Sequence, residues 1–204
     1  MESRETEFFN CIEELRGLKI INGEYFIEEN IKSNRNILAE GAQGSHLDID
    51  FGTYPFVTSS NTTVAGACTG LGVAPRHIND VFGVFKAYCT RVGSGPFPTE
   101  LFGTEGEELR KAGNEFGATT GRPRRCGWLD LPSLRHSCFL NGVTKLYITK
   151  SDVLDELGTV NVCTDYKLKD GSITNQVPYD MNDIVGQNIK SFEGWKQNLL
   201  EKGD

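Results

Sequence analysis

Between Gly117 and Arg125 the sequence reads Gly-Ala-Thr-Thr-Gly-Arg-Pro-Arg-Arg, and each residue type in it suits an anion. Glycines let backbone N–H groups approach a ligand, and Thr119 and Thr120 add hydroxyl donors. Arg122 and Arg124 carry forked, permanently charged donors that match a carboxylate or phosphate. The plain alternative is a solvated basic turn, because isolated surface arginines contribute little. Agreement of several features within one short stretch favours an anion loop, and the expected ligand is a small acidic or phosphorylated molecule.

Other stretches carry weaker chemistry. Thr149-Lys150-Ser151-Asp152 follows an apolar run and is similar to the element by which GTP-binding proteins read guanine. The aspartate would accept from the guanine ring N–H and amine, and the lysine stem would lie over the base. For the four residues alone, Ser151 or Asp152 capping a helix from Val153 is the simpler account. Gln43 in Glu-Gly-Ala-Gln-Gly could read a purine edge, and the Ser/Thr row from Thr58 to Thr63 could hold a phosphate, although both patterns are common in ordinary turns. His46, His77 and His136 show no triad or metal spacing and read as surface or packing residues. Asp48 and Asp50 alternate with Leu47 and Ile49, as on the polar side of a short strand.

Global properties narrow the partners. A formal net charge of −7 argues against a surface built for nucleic acid, whereas Arg122, Arg124, Arg125 and Arg135 concentrate positive potential locally. The six cysteines fall at irregular spacings without a Cys-x-x-Cys pair and read as reduced thiols. The start is acidic and no apolar run approaches ~18 residues, so no membrane segment is expected and the protein is placed in the cytoplasm.

Positioning these residues requires alternating elements. Phe8, Ile12 and Leu15 predict a helix over Thr6 to Arg16, and Asn22-Gly23 predicts a turn. Ile37-Leu38-Ala39 predicts a buried strand delivering the Gln43 loop, and Gly52 to Gly72 predicts a long loop. Val81 to Val92 predicts one strand, and Thr104-Glu105-Gly106-Glu107 a capping box opening a helix to Ala112. Asp130, Pro132 and Gly142 bracket a second helix. Lys145 to Thr149 predicts a strand, and Val160 to Leu168, Asp170-Gly171 and Ser172 to Val177 a hairpin. The expectation is one α/β domain over residues 1–204, with a largely parallel sheet, flanking helices and an antiparallel hairpin.

Read in order, Glu-Gly-Ala-Gln-Gly, Gly-Thr-Tyr-Pro-Phe-Val-Thr-Ser-Ser-Asn, Lys-Ala-Tyr-Cys-Thr-Arg-Val-Gly, Gly-Pro-Phe-Pro-Thr-Glu, Glu-Phe-Gly-Ala-Thr-Thr-Gly-Arg-Pro-Arg-Arg-Cys-Gly-Trp-Leu-Asp and Thr-Lys-Ser-Asp-Val-Leu-Asp closely resemble the adenylosuccinate synthetase family. The resemblance runs from Ile37 to Asp155 and more weakly through the hairpin to Gly194-Trp195. It implies a P-loop-GTPase-like fold and a homodimeric ligase of purine biosynthesis. Such an enzyme joins IMP and L-aspartate at the expense of GTP, through 6-phosphoryl-IMP, with Mg²⁺. It further implies that Gln43, Thr58, the Val92 backbone and Arg122 contact IMP. Ala118, Thr119, Thr120, Gly121, Arg122, Pro123 and Arg124 would form the aspartate loop. Arg124 would also face the GTP phosphates, and Lys150, Ser151 and Asp152 would read guanine. In that context the guanine reading of Thr149 to Asp152 outweighs the capping one.

The departures from the family pattern matter as much. Its Gly-Asp-Glu-Gly-Lys-Gly phosphate loop, with the general base and Mg²⁺ ligand, is not in this sequence. Its Asn-Ala-Gly-His general acid, the arginine that reaches a partner subunit and a late Ser/Thr-Gly-Pro segment are also missing. The expectation is an internal portion of the family chain, inactive by itself, with no metal ligand and no catalytic base or acid of its own. A stand-alone IMP or aspartate binding module, or a gene remnant, is the alternative.

Overall fold

The computed structural model describes residues 2–119 and 121–200. They form two compact units, Met1–Glu40 with Ala67–His77, and Gly41–Gly66 with Ile78–Asp204.

The first unit holds α1 (Glu2–Arg16), α2 (Gly23–Lys32) and most of α3 (Val64–Leu71). α1 is longer than expected, and its apolar stripe is open, with Phe8 61% and Leu15 56% exposed. Asn22, read as part of a turn, is the residue preceding α2. The strand expected at Ile37-Leu38-Ala39 does not form. A strand needs a neighbour for its N–H and C=O groups, and none among the described residues pairs with this stretch.

In the second unit β1 (Phe82–Lys86) runs parallel to a later strand, β5 (Lys145–Thr149), while β2 (Cys89–Arg91) pairs antiparallel with β3 (Arg125–Gly127). A third sheet centres on β6 (Thr159–Leu168), parallel to β4 (Leu129–Asp130) and antiparallel to β7 (Ile173–Thr174) and β8 (Ile184–Glu193). The α/β expectation holds, with parallel pairs at β1–β5 and β4–β6. Antiparallel pairing extends beyond the hairpin, because β8 runs the length of β6. Little alternation in Ile-Val-Gly-Gln-Asn-Ile-Lys-Ser-Phe-Glu announces that strand.

The single strand expected over Val81 to Val92 is two. Ala87 and Tyr88, at 7% and 1% exposure, turn into the core, so β1 and β2 join different sheets. The Gly52 to Gly72 stretch is a loop only in part, since α3 begins at Val64. Its first N–H donates to the Asn141 side-chain carbonyl at 2.8 Å, a cap too distant in sequence for local reading. Asp48 and Asp50 lie in no strand. Asp48 is fully buried and accepts from the backbone N–H groups of Asp50, Phe51, Thr62 and Thr63, which closes the loop on itself. Burial raises its carboxyl, but those donors outweigh burial and bring it to about 2.

Two helices flank the strands. α4 (Thr104–Ala112) is preceded by Gly103 at φ 76, so Thr104 is a helical residue and the expected capping box does not form. Glu105 and Glu107 in its first turn and Arg110 and Lys111 in its last suit the helix dipole instead. α5 (Leu131–Asn141) keeps its predicted signals. The Asp130 carboxylate accepts from the Ser133 N–H at 3.0 Å, Pro132 lies in the first turn, and Gly142 closes the helix at φ 59. The core gathers Ala87, Tyr88, Leu109, Cys126 and Leu154, with Trp195 against it.

Candidate functional site

The Gly117 to Arg125 loop is a closed turn on a buried charged base. Phe116 and Pro123 form an antiparallel bridge. Above it the Gly117 N–H donates to Arg122 O at 2.9 Å and the Gly121 N–H to Gly117 O at 2.8 Å. Gly121 adopts φ 63, a backbone that side chains rarely tolerate. Ala118, Thr119, Gly121, Arg122 and Pro123 are exposed at the tip. Thr120 lies outside the described residues.

Beneath the tip sits Glu115, at 1% exposure, a residue with no signal in its local sequence. Its carboxylate accepts from Lys86 Nζ at 2.6 Å, the Tyr88 hydroxyl at 2.6 Å and Arg124 at 2.7 Å. Burial raises the Glu115 carboxyl, yet these three donors overcome burial and hold it at about 2. Burial and the same carboxylate push the Tyr88 hydroxyl the other way, above its ordinary value. The Arg124 backbone N–H also donates to Glu115 O at 3.0 Å, and Arg110 Nε to Arg124 O at 2.6 Å. Arg124 is therefore held at both backbone and side chain.

The neighbouring elements converge on the same corner. Lys86 is the last residue of β1, and Lys150 follows β5, its parallel partner. Lys150 takes φ 61 and donates from Nζ to Gly113 O at 2.8 Å, so the Thr149 to Asp152 element is tied to the end of α4. A side chain at Gly113 would collide with the Tyr88 hydroxyl, so only glycine fits there. Ligand sites in α/β folds lie at the carboxyl ends of parallel strands, which is where these lysines stand.

A second group forms around Gln43 and Thr58, whose side chains meet at 3.1 Å. Gln43 adopts φ 70, a strained backbone for a residue other than glycine. Arg91 fastens this loop by donating to Thr53 Oγ1 at 3.0 Å and Phe56 O at 3.1 Å, and through Nε to Ser94 O at 3.0 Å. Val92, 59% exposed, follows directly. Across β2 and β3, Arg125 pairs with Glu100 and donates to Gly93 O at 3.1 Å and Gly95 O at 2.9 Å. A continuous set of contacts thus joins the Gln43 and Thr58 loop, the Val92 turn and the arginine loop.

His46 is a packing residue, as expected, though not an idle one. Its Nε2 meets Ser133 Oγ at 2.6 Å and its ring stacks on His136 at 5.9 Å. Burial and then the charge of His136 bring the His46 imidazole down to about 4, with Ser133 opposing them and Arg91 adding least. Lys86, Tyr88, Arg91 and Glu115 were not singled out from sequence, and Arg125 was read only as part of the local basic cluster. A lysine and an arginine inside the otherwise apolar Val81 to Val92 run were the available signal, whereas Glu115 had none.

Fold and site together define an α/β protein that presents a closed, arginine-bearing loop beside the carboxyl ends of parallel strands. The sequence model of adenylosuccinate synthetase matches residues 2–203. The chain is 61% identical over 201 residues to the adenylosuccinate synthetase of Cytophaga hutchinsonii, covering 98% of this chain and 46% of that protein. It is 55% identical to that of Christiangramia forsetii, covering 100% and 48%. Among solved structures, fully ligated adenylosuccinate synthetase from Plasmodium falciparum superposes with a TM-score of 0.90 at 41% identity, covering 97% of this chain and 47% of that one. Cyanophage S-2L succinoaminodeoxyadenylate synthetase shares the fold, with a TM-score of 0.54 at 24% identity over 64% of this chain and 39% of that one. The chain belongs to the adenylosuccinate synthetase family. It spans about half the length of the curated relatives it matches.

Proposed function

We propose that these residues form the IMP- and aspartate-holding part of an adenylosuccinate synthetase, a GTP-dependent ligase that joins IMP to L-aspartate through 6-phosphoryl-IMP. The observation that carries the reading is the closed turn from Phe116 to Pro123 on the Glu115, Lys86 and Arg124 base, with exposed hydroxyl and guanidinium donors at its tip. Thr119, Thr120, Gly121 and Arg122, flanked by Ala118 and Pro123, grip the aspartate carboxylates. Arg124, held by Glu115, keeps its charge aimed at the same place without reorganising, which is how fixed donors stabilise developing negative charge. Gln43 and Thr58 receive the base and 5′-phosphate of IMP, and the Val92 backbone and Arg122 its ribose. Lys150, Ser151 and Asp152 read guanine.

The division of labour leaves proton transfer elsewhere. Glu115, taken up by two cations and a phenol, is no free base. We assign the family's Mg²⁺ no ligand here, because the resemblance places its aspartate on the phosphate loop, which this sequence does not contain. These residues therefore bind and orient, and the 204-residue chain forms no product alone. The match over residues 2–203 supports treating both compact units as parts of one family domain, and the resemblance to the family implies a homodimeric, cytoplasmic complete enzyme. Among the described residues no helix is long and apolar enough to cross a membrane.

Calorimetric titration of IMP and L-aspartate into the folded chain tests the reading. Binding of IMP is expected, and Arg122→Leu should weaken it about tenfold, or about 1.4 kcal/mol. A folded chain that binds neither ligand contradicts it.

A further inference from the structure

We propose, resting on the IMP assignment of Gln43 and Thr58 above, that the hydrogen bond between His46 and Ser133 positions their loop and so sets its affinity for IMP. His46 lies in a single helical turn, Ser45–Leu47, shortly after Gln43. Its Nε2 meets Ser133 Oγ at 2.6 Å and its ring stacks on His136, so both side-chain partners stand on α5. Its carbonyl faces the other way and accepts from the Thr53 N–H at 2.9 Å and from Thr53 Oγ1 at 3.3 Å, the hydroxyl to which Arg91 donates. The next carbonyl, of Leu47, accepts from the Thr58 N–H at 2.8 Å. His46 is thus the junction through which α5 reaches both Thr53 and Thr58. A second tie lies about two turns further along the helix. There Asn141 donates to Ser45 Oγ at 2.9 Å and accepts from the Val64 N–H at 2.8 Å.

The loop needs such a tie because Gln43 is held at φ 70, a conformation that persists only where the surroundings impose it. Packing does not impose it, since Gly41, Ala42, Gln43 and Gly44 are all exposed. The restraint comes instead from the hydrogen bonds of the Ser45–Leu47 turn and from the Gln43 amide, which donates to Thr58 Oγ1 at 3.1 Å. Once the turn is released from α5, Gln43 can relax out of the left-handed region and Thr58 loses its fixed distance from it. Apparent affinity then falls by the fraction of molecules that keep the binding geometry. His46 acts through the loop, as a positioning residue, and it is the ring nitrogen rather than the bulk of the ring that carries the effect.

Three variants of the chain test this. His46→Phe keeps an aromatic ring against His136 and removes the nitrogen, Ser133→Ala removes the other half of the contact, and His46→Gln restores a polar group of similar reach. Amide hydrogen exchange at Thr53 and Thr58 should quicken about fivefold in His46→Phe and in Ser133→Ala, the change that loss of one hydrogen bond brings. Exchange at Gly117 and Arg124, in the Glu115 corner, should stay as it was. IMP affinity, read by calorimetric titration, should fall about fivefold in each, with the double variant no weaker than either single one. His46→Gln should return to within about twofold of the parent chain. The proposal is overturned if His46→Phe exchanges and binds IMP as the parent does, or if His46→Gln is impaired as much as His46→Phe. It also fails if exchange quickens equally at Gly117 and Arg124, which marks a general loosening of the fold. A parent chain that binds no IMP sinks the ligand assignment instead, and exchange at Thr53 and Thr58 still decides whether His46 holds the loop.

Discussion

Glu115 holds the arginine loop by a buried carboxylate shared among Lys86, Tyr88 and Arg124, so its charge matters more than its size. Glu115→Gln keeps the shape and removes the charge. The expected loss of stability is about 2–3 kcal/mol, at or below the low end for breaking a buried pair because both cations remain partly exposed. Chemical denaturation of the variant measures it, and an unchanged midpoint would remove Glu115 from the account. Acid provides a second probe. The Glu115 and Asp48 carboxyls stand at about 2 in the fold, below their ordinary values, so their stabilisation is complete at neutral pH and is lost as pH falls from about 4.5 towards 2. His46, brought from 6.5 to about 4, acts in the same direction between those two values, because acid charges it in the unfolded chain first. The thermal midpoint should therefore fall below pH 6.5, and His46→Asn should flatten the upper part of that fall. At this scale the Gly117 to Arg125 turn stood out in the sequence because its glycines, hydroxyls and arginines fall within one short stretch. Glu115 did not, since a lone glutamate acquires meaning only when Lys86 and Arg124 are brought to it from distant positions.

Among elements, legibility followed local signals. α5 carries its own start and stop in Asp130, Pro132 and Gly142, and all three are found in their expected roles. Asp130 also accepts from the buried Tyr166 hydroxyl at 2.7 Å, a contact no local pattern shows. Asp130→Ala should then cost about 1 kcal/mol for the cap and about 1–3 kcal/mol for stranding that hydroxyl, measured by denaturant unfolding. A loss of the cap value alone would show that the Tyr166 contact contributes nothing. The failures have the opposite cause. Val81 to Val92 divides because Tyr88 is drawn to Glu115, α3 starts where Asn141 caps it, and β8 exists because β6 offers an edge. Each depends on a partner far along the chain.

For the whole molecule, family membership and the exposed β1–β5 sheet fit together. A chain about half the length of its relatives holds the Glu115, Lys86 and Arg124 corner that we propose binds substrate, while a parallel strand pair stands exposed. The α/β class and the order of motifs were readable from sequence because they are local and sequential. The open sheet was not, because alternation and burial look alike until the covering elements are sought. The most direct measurement is adenylosuccinate formation from IMP, L-aspartate and GTP, assayed for the chain alone and for the chain assembled with the remaining part of the Cytophaga hutchinsonii relative. No product from the chain alone and turnover by the assembled pair, abolished by Arg124→Leu, is the predicted result. Turnover by the chain alone, or turnover by the pair that is indifferent to Arg124, would contradict it.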